Sequence, residues 1–338
     1  MISACIGKIT ENLDLTFSEA KAAMDEIMCG NATDSQIGSF ITALRMKGEN
    51  AEEIAAFANA MRRSSVRITP KTRGVLLDTC GTGGDKKDTF NISTAAAFVA
   101  AGAGLNVVKH GNSSISSRCG SADVLKEAGV ATDISPEQVC RIIEENGIGF
   151  LYAQTHHPAM RYAGKVRKEI GIRSIFNLLG PLTNPAGADA QLMGVYDESL
   201  TLKTAEVLRL LGTKSAMVVN GDGYDEITTT GITKVSELRE GKITSYEINP
   251  SSFGFERASE SDLKGGDPKK NAEILFDILN GVEGPKRDIV LLNAGAAIYT
   301  GFGADSLEMG IRMAEKSIDS GKAGMKLENL IRLSGGRR

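Results

Sequence analysis

The chain predicts an α/β fold: a small helical unit followed by a larger domain built on a mainly parallel sheet. Three observations carry this expectation for the 338 residues. Roughly the first 65 residues hold only helix signals, and beyond the break at Ile68-Thr69-Pro70 short apolar strands alternate with helices. Glycine, at 38 residues, is densest just where the first strands end.

In the helical unit, Thr16-Phe17-Ser18-Glu19 is a capping box ahead of Ala20, Ala23, Met24, Ile27 and Met28, with Gly30 as a stop. Thr33 to Gln36 repeats the signal before Ile37, Phe40, Ile41 and Leu44, and Asn50 to Glu53 repeats it before Ile54, Phe57, Ala58 and Met61. Three amphipathic helices follow from these starts. Further on, strands are expected at Val75 to Asp78, Asn106 to Val108, Ile148 to Tyr152, Leu192 to Tyr196, Ala216 to Asn220 and Ile243 to Ile248. Between them stand helices from Ser93 to Ala101 and Ala122 to Ala128, one opened by Ser135-Pro136, and others around 200–210 and 270–281. The last fifty residues or so read as helical.

With 41% hydrophobic and 24% charged residues, the chain is globular rather than disordered. Lys+Arg 39 against Asp+Glu 42 is not the balance of a protein that coats nucleic acid or an anionic membrane. The five cysteines include no CxxC pair, so neither a disulfide framework nor a zinc knuckle is expected. Met1-Ile2-Ser3-Ala4-Cys5 does not read as a signal peptide, and the uncharged run from Ile289 to Ala304 is too short and polar to span a bilayer. A cytoplasmic setting is expected.

Four segments carry chemistry. Asp78-Thr79-Cys80-Gly81-Thr82-Gly83-Gly84-Asp85 leaves a strand, and Thr89-Phe90-Asn91-Ile92-Ser93-Thr94 opens a helix. Glycines let a backbone approach phosphate, and a helix N-terminus adds partial positive charge. Asn91, Ser93 and Thr94 stand where side chains can cap that helix or bind an oxyanion. The spacing is neither GxGxxG nor that of the P-loop, and a plain tight turn is the alternative. Lys109-His110-Gly111-Asn112-Ser113-Ser114-Ile115-Ser116-Ser117, running on to Gly120-Ser121-Ala122-Asp123, leaves a second strand. A lysine among hydroxyls and glycines suits a polyanion, at the sheet end where such folds place ligands.

The third segment is His156-His157-Pro158-Ala159-Met160-Arg161 and the helix after it. Arg161, Lys165 and Lys168 share one solvated face, while Arg167 falls in the inward stripe of Met160, Ala163 and Ile170. An inward guanidinium fits a carboxylate, either of a ligand or of a structural ion pair. The adjacent histidines lack helical metal spacing. In the fourth, Asn220-Gly221-Asp222-Gly223-Tyr224-Asp225-Glu226, adjacent carboxylates suit Mg²⁺, and an Asp-Gly turn is the alternative.

Gly81-Thr82-Gly83-Gly84-Asp85, Asn91-Ile92-Ser93-Thr94, Lys109-His110-Gly111-Asn112, Gly120-Ser121-Ala122-Asp123, His157-Pro158-Ala159-Met160 and the run from Arg173 to Pro185 together resemble the anthranilate phosphoribosyltransferase family. Order and spacing agree over essentially the whole chain. The resemblance implies a homodimer in which residues 1–68, joined by helices around 159–185, form the helical domain, and 69–338 form the catalytic α/β domain. It implies transfer from phosphoribosyl pyrophosphate to anthranilate in tryptophan biosynthesis, with two Mg²⁺ per site and no nucleic acid or membrane partner. Carried over by position, Gly81, Gly84, Asp85, Thr89, Asn91, Ile92, Ser93, Thr94, Lys109, His110, Gly111, Asn112, Ser113, Ser114, Ile115, Ser116, Ser117 and Ser121 would hold phosphoribosyl pyrophosphate. Gly81, Asn112 and Arg167 would contact anthranilate, and Ser93, Asp225 and Glu226 would ligate the metal.

Lys109 and Asp85 would act electrostatically, since no nucleophile, triad or paired-carboxylate arrangement appears in the motifs. Ser113 stands where the family usually has arginine, Gln154 where it has proline and Ser174 where it has threonine. A pyrimidine nucleoside phosphorylase, which shares this architecture, and a non-catalytic nucleic-acid-binding relative are the alternatives.

Overall fold

The computed structural model describes residues 1–114 and 118–337. The chain opens with four helices, α1 (Ile2–Thr10), α2 (Phe17–Met28), α3 (Asp34–Lys47) and α4 (Ala51–Arg63). The capping boxes at Thr16, Thr33 and Asn50 all form, with Glu19, Gln36 and Glu53 reaching back to the cap backbone. Helix α1 is one more than the sequence predicts. Its apolar stripe of Ile2, Cys5 and Ile9 has helical spacing, but no side chain caps its start, so the signal that marks the other three is missing.

Glu53 does more than cap. It is fully buried, accepts hydrogen bonds from the N–H groups of Leu15 (2.9 Å) and Asn50 (3.0 Å), and pairs with Lys47 at 2.9 Å. Lys47 in turn reaches Asp14 at 2.5 Å, so one buried carboxylate ties the α1–α2 connection to α3 and α4.

The remaining elements alternate as the sequence predicts. In order they are β1 (Leu76–Gly81), α5 (Ile92–Gly102), β2 (Asn106–Gly111), α6 (Ser121–Glu127), α7 (Pro136–Asn146), β3 (Ile148–Tyr152), α8 (Ala153–His156), α9 (Met160–Ile170) and α10 (Phe176–Leu182). Then follow β4 (Ala190–Gly194), α11 (Leu200–Leu210), β5 (Ser215–Gly221), β6 (Thr233–Arg239), β7 (Lys242–Ile248), α12 (Pro268–Leu279), α13 (Pro285–Thr300), α14 (Leu307–Asp319) and α15 (Lys322–Ser334). The sheet order is β3-β2-β1-β4-β5-β6-β7. Strands β1 to β5 are parallel, while β6 and β7 complete an antiparallel edge. The strand order reverses between β1 and β4, which places the expected ligand crevice there.

Strand β6 is not predicted from sequence. Lys234, Glu237 and Arg239 interrupt its apolar positions, and its turn into β7 is made by Glu240 and Gly241, both at positive φ.

Side chains alternate between two cores. Leu192, Met217 and Val219 face a layer made by α5, α6 and α12–α15, whereas Met193, Ala216 and Val218 face α11 and the helical unit. That second core also takes Ala163, Val166, Phe176 and Leu179 from α9 and α10. Arg62 of α4 crosses to the same segment, donating from Nε to the Leu182 carbonyl at 2.8 Å. Among the described residues no helix is long and apolar enough to cross a membrane.

Replacing Glu53 with Ala leaves the Lys47 ammonium with Asp14 alone and takes the acceptor from the N–H groups of Leu15 and Asn50. We expect it to cost about 3–5 kcal/mol in urea unfolding, against about 1 kcal/mol for removing the exposed cap at Thr16.

Candidate active site

Three of the first four parallel strands, β1, β2 and β4, and then β5, end on glycine, at Gly81, Gly111, Gly194 and Gly221. Their loops enclose a cavity of about 800 Å³. Every described candidate from the sequence lines it: Gly81 to Asp85, Thr89 to Thr94, Lys109 to Ser114, then Ser121, Arg167, Asp225 and Glu226. Ile115, Ser116 and Ser117 lie outside the described residues.

The glycines do a different job from the one the sequence suggests. A Cβ on Gly81 would strike the Asp225 carboxylate, and one on Gly194 would strike the Asp225 backbone. On Gly111 it would meet Ser121 Oγ, and on Gly120 the backbone of Asn112 to Ser114. The spaces beside these residues are filled by protein rather than kept open for a ligand, so they bring loop against loop.

Asp225 and Glu226 sit under the β1–α5 connection. The Gly83 N–H donates to Asp225 Oδ2 at 2.6 Å, and the Ser93 N–H donates to Glu226 Oε1 at 3.1 Å. Glu226 therefore answers the N-terminus of α5, where the dipole favours negative charge. Asn91 does not cap that helix with its side chain. Its Nδ2 donates to the Cys119 carbonyl (3.1 Å) and its Oδ1 accepts from Asn271 (3.0 Å), which ties the first loop to the second instead.

Burial, and then the neighbouring Asp85 carboxylate, push the Asp225 carboxyl up to about 7. Burial and then Asp225 raise Glu226 well above the usual carboxylate range. Asp85 is half-buried beside Asp225, and no donor among the described residues reaches its Oδ2. Two desolvated carboxylates with a third beside them and too little positive charge among them form a donor set that a hard divalent cation would satisfy. Among the described residues no three His, Cys, Asp or Glu side chains converge on one point, so such an ion would take most of its ligands from water and phosphate.

Lys109 supplies part of the opposing charge. It is buried and donates to the Thr79 carbonyl (2.7 Å) and Ser93 Oγ (3.3 Å). Burial lowers its pKa while Asp78 opposes the shift. Asp78 is a residue the sequence reading passes over. Fully buried on β1, it accepts from Asn184 Nδ2 (2.9 Å), Gln191 Nε2 (3.4 Å) and the His110 N–H (3.3 Å). The signal was a lone acid inside the apolar run Leu76-Leu77-Asp78. Asp123 was likewise only part of a motif, yet it closes the second loop by accepting from the N–H groups of Ser114 (2.8 Å) and Gly120 (2.9 Å).

His110, His157 and Arg167 also line the cavity. Burial, then their mutual proximity, hold His110 well below its usual pKa, and burial brings His157 to about 4, so both imidazoles are neutral near pH 7. Their ring centres lie 5.0 Å apart. Arg167 of α9 points inward as the stripe predicts, with its guanidinium carbon 5.1 Å from the Phe176 ring centre. No carboxylate of the described residues pairs with it; burial alone lowers its pKa. The structural ion pair is therefore absent among those residues. Arg161, Lys165 and Lys168 are exposed, and Lys165 pairs with Asp34 at 2.7 Å.

Residues 73–324 match the family described as "Glycosyl transferase family, a/b domain", and residues 3–65 match its helical bundle domain. The anthranilate phosphoribosyltransferase of Methanocorpusculum labreanum is 67% identical over 337 residues, covering 100% of this chain and 99% of the relative. The chain belongs to the anthranilate phosphoribosyltransferase family. The crystal structure of the family member from Thermus thermophilus matches with a TM-score of 0.93 at 42% identity, over 98% of this chain and 99% of that one. The Saccharomyces cerevisiae member, solved in complex with PRPP and Mg, matches with a TM-score of 0.89 at 31% identity over 98% of both chains. A second structure of that yeast protein is in complex with 4-fluoroanthranilate. The phosphorylase and nucleic-acid alternatives are not favoured by these matches.

The departures from the usual pattern of the family have defined places here. Ser113 Oγ lies 3.2 Å from the Tyr152 hydroxyl, Gln154 lines the cavity while exposed, and the Ser174 N–H donates to Asn177 Oδ1 at 3.0 Å.

Asp225 binds its proton more tightly folded than unfolded, where a carboxyl titrates near 3.9. Its contribution therefore favours the fold at low pH and is lost as the pH rises from about 4 through about 7. In EDTA, thermal stability should fall across that window, and Asp225→Asn should flatten the slope. Mg²⁺ should raise the midpoint more at about pH 8 than at about pH 5. An unchanged slope in the variant would refute the assignment.

Proposed function

We infer that this protein transfers the phosphoribosyl group of phosphoribosyl pyrophosphate to anthranilate, giving N-(5-phosphoribosyl)-anthranilate and pyrophosphate in tryptophan biosynthesis. The observation that carries the reading is the polarity of one cavity. Desolvated carboxylates and a buried lysine line it together with an inward arginine that has no carboxylate partner among the described residues.

Gly84, Asp85, Thr89, Asn91 to Thr94, Lys109 and the second loop bind the pyrophosphate and ribosyl phosphate. Ser93, Asp225 and Glu226 would hold magnesium, which when bound would supply positive charge to the pyrophosphate. Lys109 and the loop N–H groups face the oxygens that gain charge as the C1–O bond stretches. Arg167 takes the anthranilate carboxylate in a bidentate pair, which leaves the amine free to point at C1. Gly81 and Asn112 complete that subsite.

An aryl amine is unprotonated at neutral pH, so the residues need only orient it and keep water from the ribosyl cation; positioning and electrostatics supply most of the barrier reduction. Neutral His110 and His157 add no further positive charge to the cavity lining that could compete with Arg167 for the carboxylate. A homodimer, two magnesium ions per site and a cytoplasmic setting belong to the same reading, and sedimentation and metal titration measure the first two.

Loss of anthranilate fluorescence should require both phosphoribosyl pyrophosphate and Mg²⁺; consumption without either would sink the reading. Arg167→Ala should raise the anthranilate KM by roughly a hundredfold, the loss of a bidentate charged pair, while leaving that of phosphoribosyl pyrophosphate nearly unchanged. Equal effects on both would remove Arg167 from the anthranilate subsite. Asp225→Asn combined with Glu226→Gln should raise the Mg²⁺ concentration needed for half-maximal rate; an unchanged metal profile would take both residues out of the metal site.

A further inference from the structure

Arg173 belongs to the motif that follows α9, yet it has no part in the binding scheme above. Its guanidinium carbon lies 3.7 Å from the centre of the Tyr196 ring, stacked on the face. From there Nη2 donates to the Gly84 carbonyl at 2.6 Å. Gly84 and Asp85 line the cavity, and Arg173 is not among its lining residues, so the arginine stands behind the loop rather than inside the site.

Two further features tie the loop to this arrangement. Gly84 has φ +76°, a conformation that favours glycine, and a Cβ there would come within 2.8 Å of Nη2, so the guanidinium would have to shift. Tyr196 is anchored as well, since its N–H donates to Thr82 Oγ1 at 3.1 Å, on the same loop that its ring supports through Arg173. The loop is thus held on its far side by Gly83 to Asp225 and on its back by Gly84 to Arg173.

Peptide geometry gives the second contact a consequence. The Gly84 carbonyl and the Asp85 N–H belong to one planar trans unit and point in opposite directions. A carbonyl drawn back onto Arg173 turns the Asp85 N–H away from the arginine, toward the front of the loop. We propose that Arg173, stacked on Tyr196, is a positioning residue that holds the Gly84–Asp85 peptide with its N–H presented to the phosphoryl oxygens of phosphoribosyl pyrophosphate. The inference rests on the transferase reading. It assigns Arg173 no contact with substrate; the arginine works through a backbone group that would otherwise rotate.

The test uses the full chain and four variants: Arg173→Ala, Arg173→Lys, Tyr196→Leu and the double Arg173→Ala/Tyr196→Leu. Steady-state constants for each substrate are measured together with calorimetric binding of phosphoribosyl pyrophosphate with Mg²⁺. Arg173→Ala should raise the phosphoribosyl pyrophosphate KM roughly tenfold or more, the scale of a lost charge-assisted hydrogen bond, with the anthranilate KM and the thermal midpoint nearly unmoved. Tyr196→Leu should shift the same constant in the same direction, the double variant should be no worse than Arg173→Ala, and added guanidinium should recover part of the loss.

Any of several results overturns the inference: an unmoved phosphoribosyl pyrophosphate KM in Arg173→Ala, equal rises for both substrates, or additive effects in the double variant. Full affinity in Arg173→Lys overturns it too, because it would mark a bare charge acting on phosphate. Wild-type turnover is measured alongside. No transfer by the wild type removes the reading itself, and transfer with an unmoved Arg173→Ala removes this inference alone.

Discussion

The Asp225 segment is pressed against the ends of β1 and β4, and the site depends on that contact. It needs hydrogen in place of a side chain at Gly81 and Gly194, because a methyl group at either position would overlap Asp225. With the approach made, the Asp225 and Glu226 carboxylates reach the N–H groups of Gly83 and Ser93 on the β1–α5 connection. Push the segment back by the width of a methyl group, and the loop loses one tether and α5 loses the carboxylate at its N-terminus. The crevice where the strand order reverses would then lose the contact that joins the Asp225 segment to the β1–α5 connection.

That packing also sets the electrostatics. Bringing Asp225 under the loop takes it out of water and puts it beside Asp85, so its charged form lacks compensating positive charge. Lys109 meets part of the demand but is shared with Asp78 and Glu226, which face it from other directions. These carboxylates therefore cost the folded state stability, and a divalent cation with an anionic ligand would offset that cost. At Arg167 the balance is reversed. The guanidinium is desolvated over Phe176 without a carboxylate partner among the described residues, and its charge suits a small carboxylate.

Much of this was legible along the chain. The capping boxes of α2, α3 and α4 are local, because the bonded groups lie three residues apart. The glycine and hydroxyl loops after β1 and β2 are local for the same reason, and Arg167 follows from the helical stripe of its own helix. What escaped was set by distant partners. Helix α1 lacks a cap and is held by packing, and β6 carries charges on a strand whose partner, β5, lies beyond a long loop. Asn91 reads as a helix cap until Cys119 and Asn271 are brought to it. Asp78 reads as one more strand residue until Asn184 and Gln191 surround it.

The glycines separate the two kinds of knowledge. Sequence by itself determined that glycine, lysine, hydroxyl and carboxylate groups cluster at strand ends, which is enough for a polyanion site with a metal, because residue type and local order decide which groups are available. Only the tertiary structure decided what the glycines are for: they admit protein, the Asp225 segment at Gly81 and Gly194 and the Arg173 guanidinium at Gly84. Steric exclusion acts between segments far apart in the chain, and no local pattern records which segment will arrive.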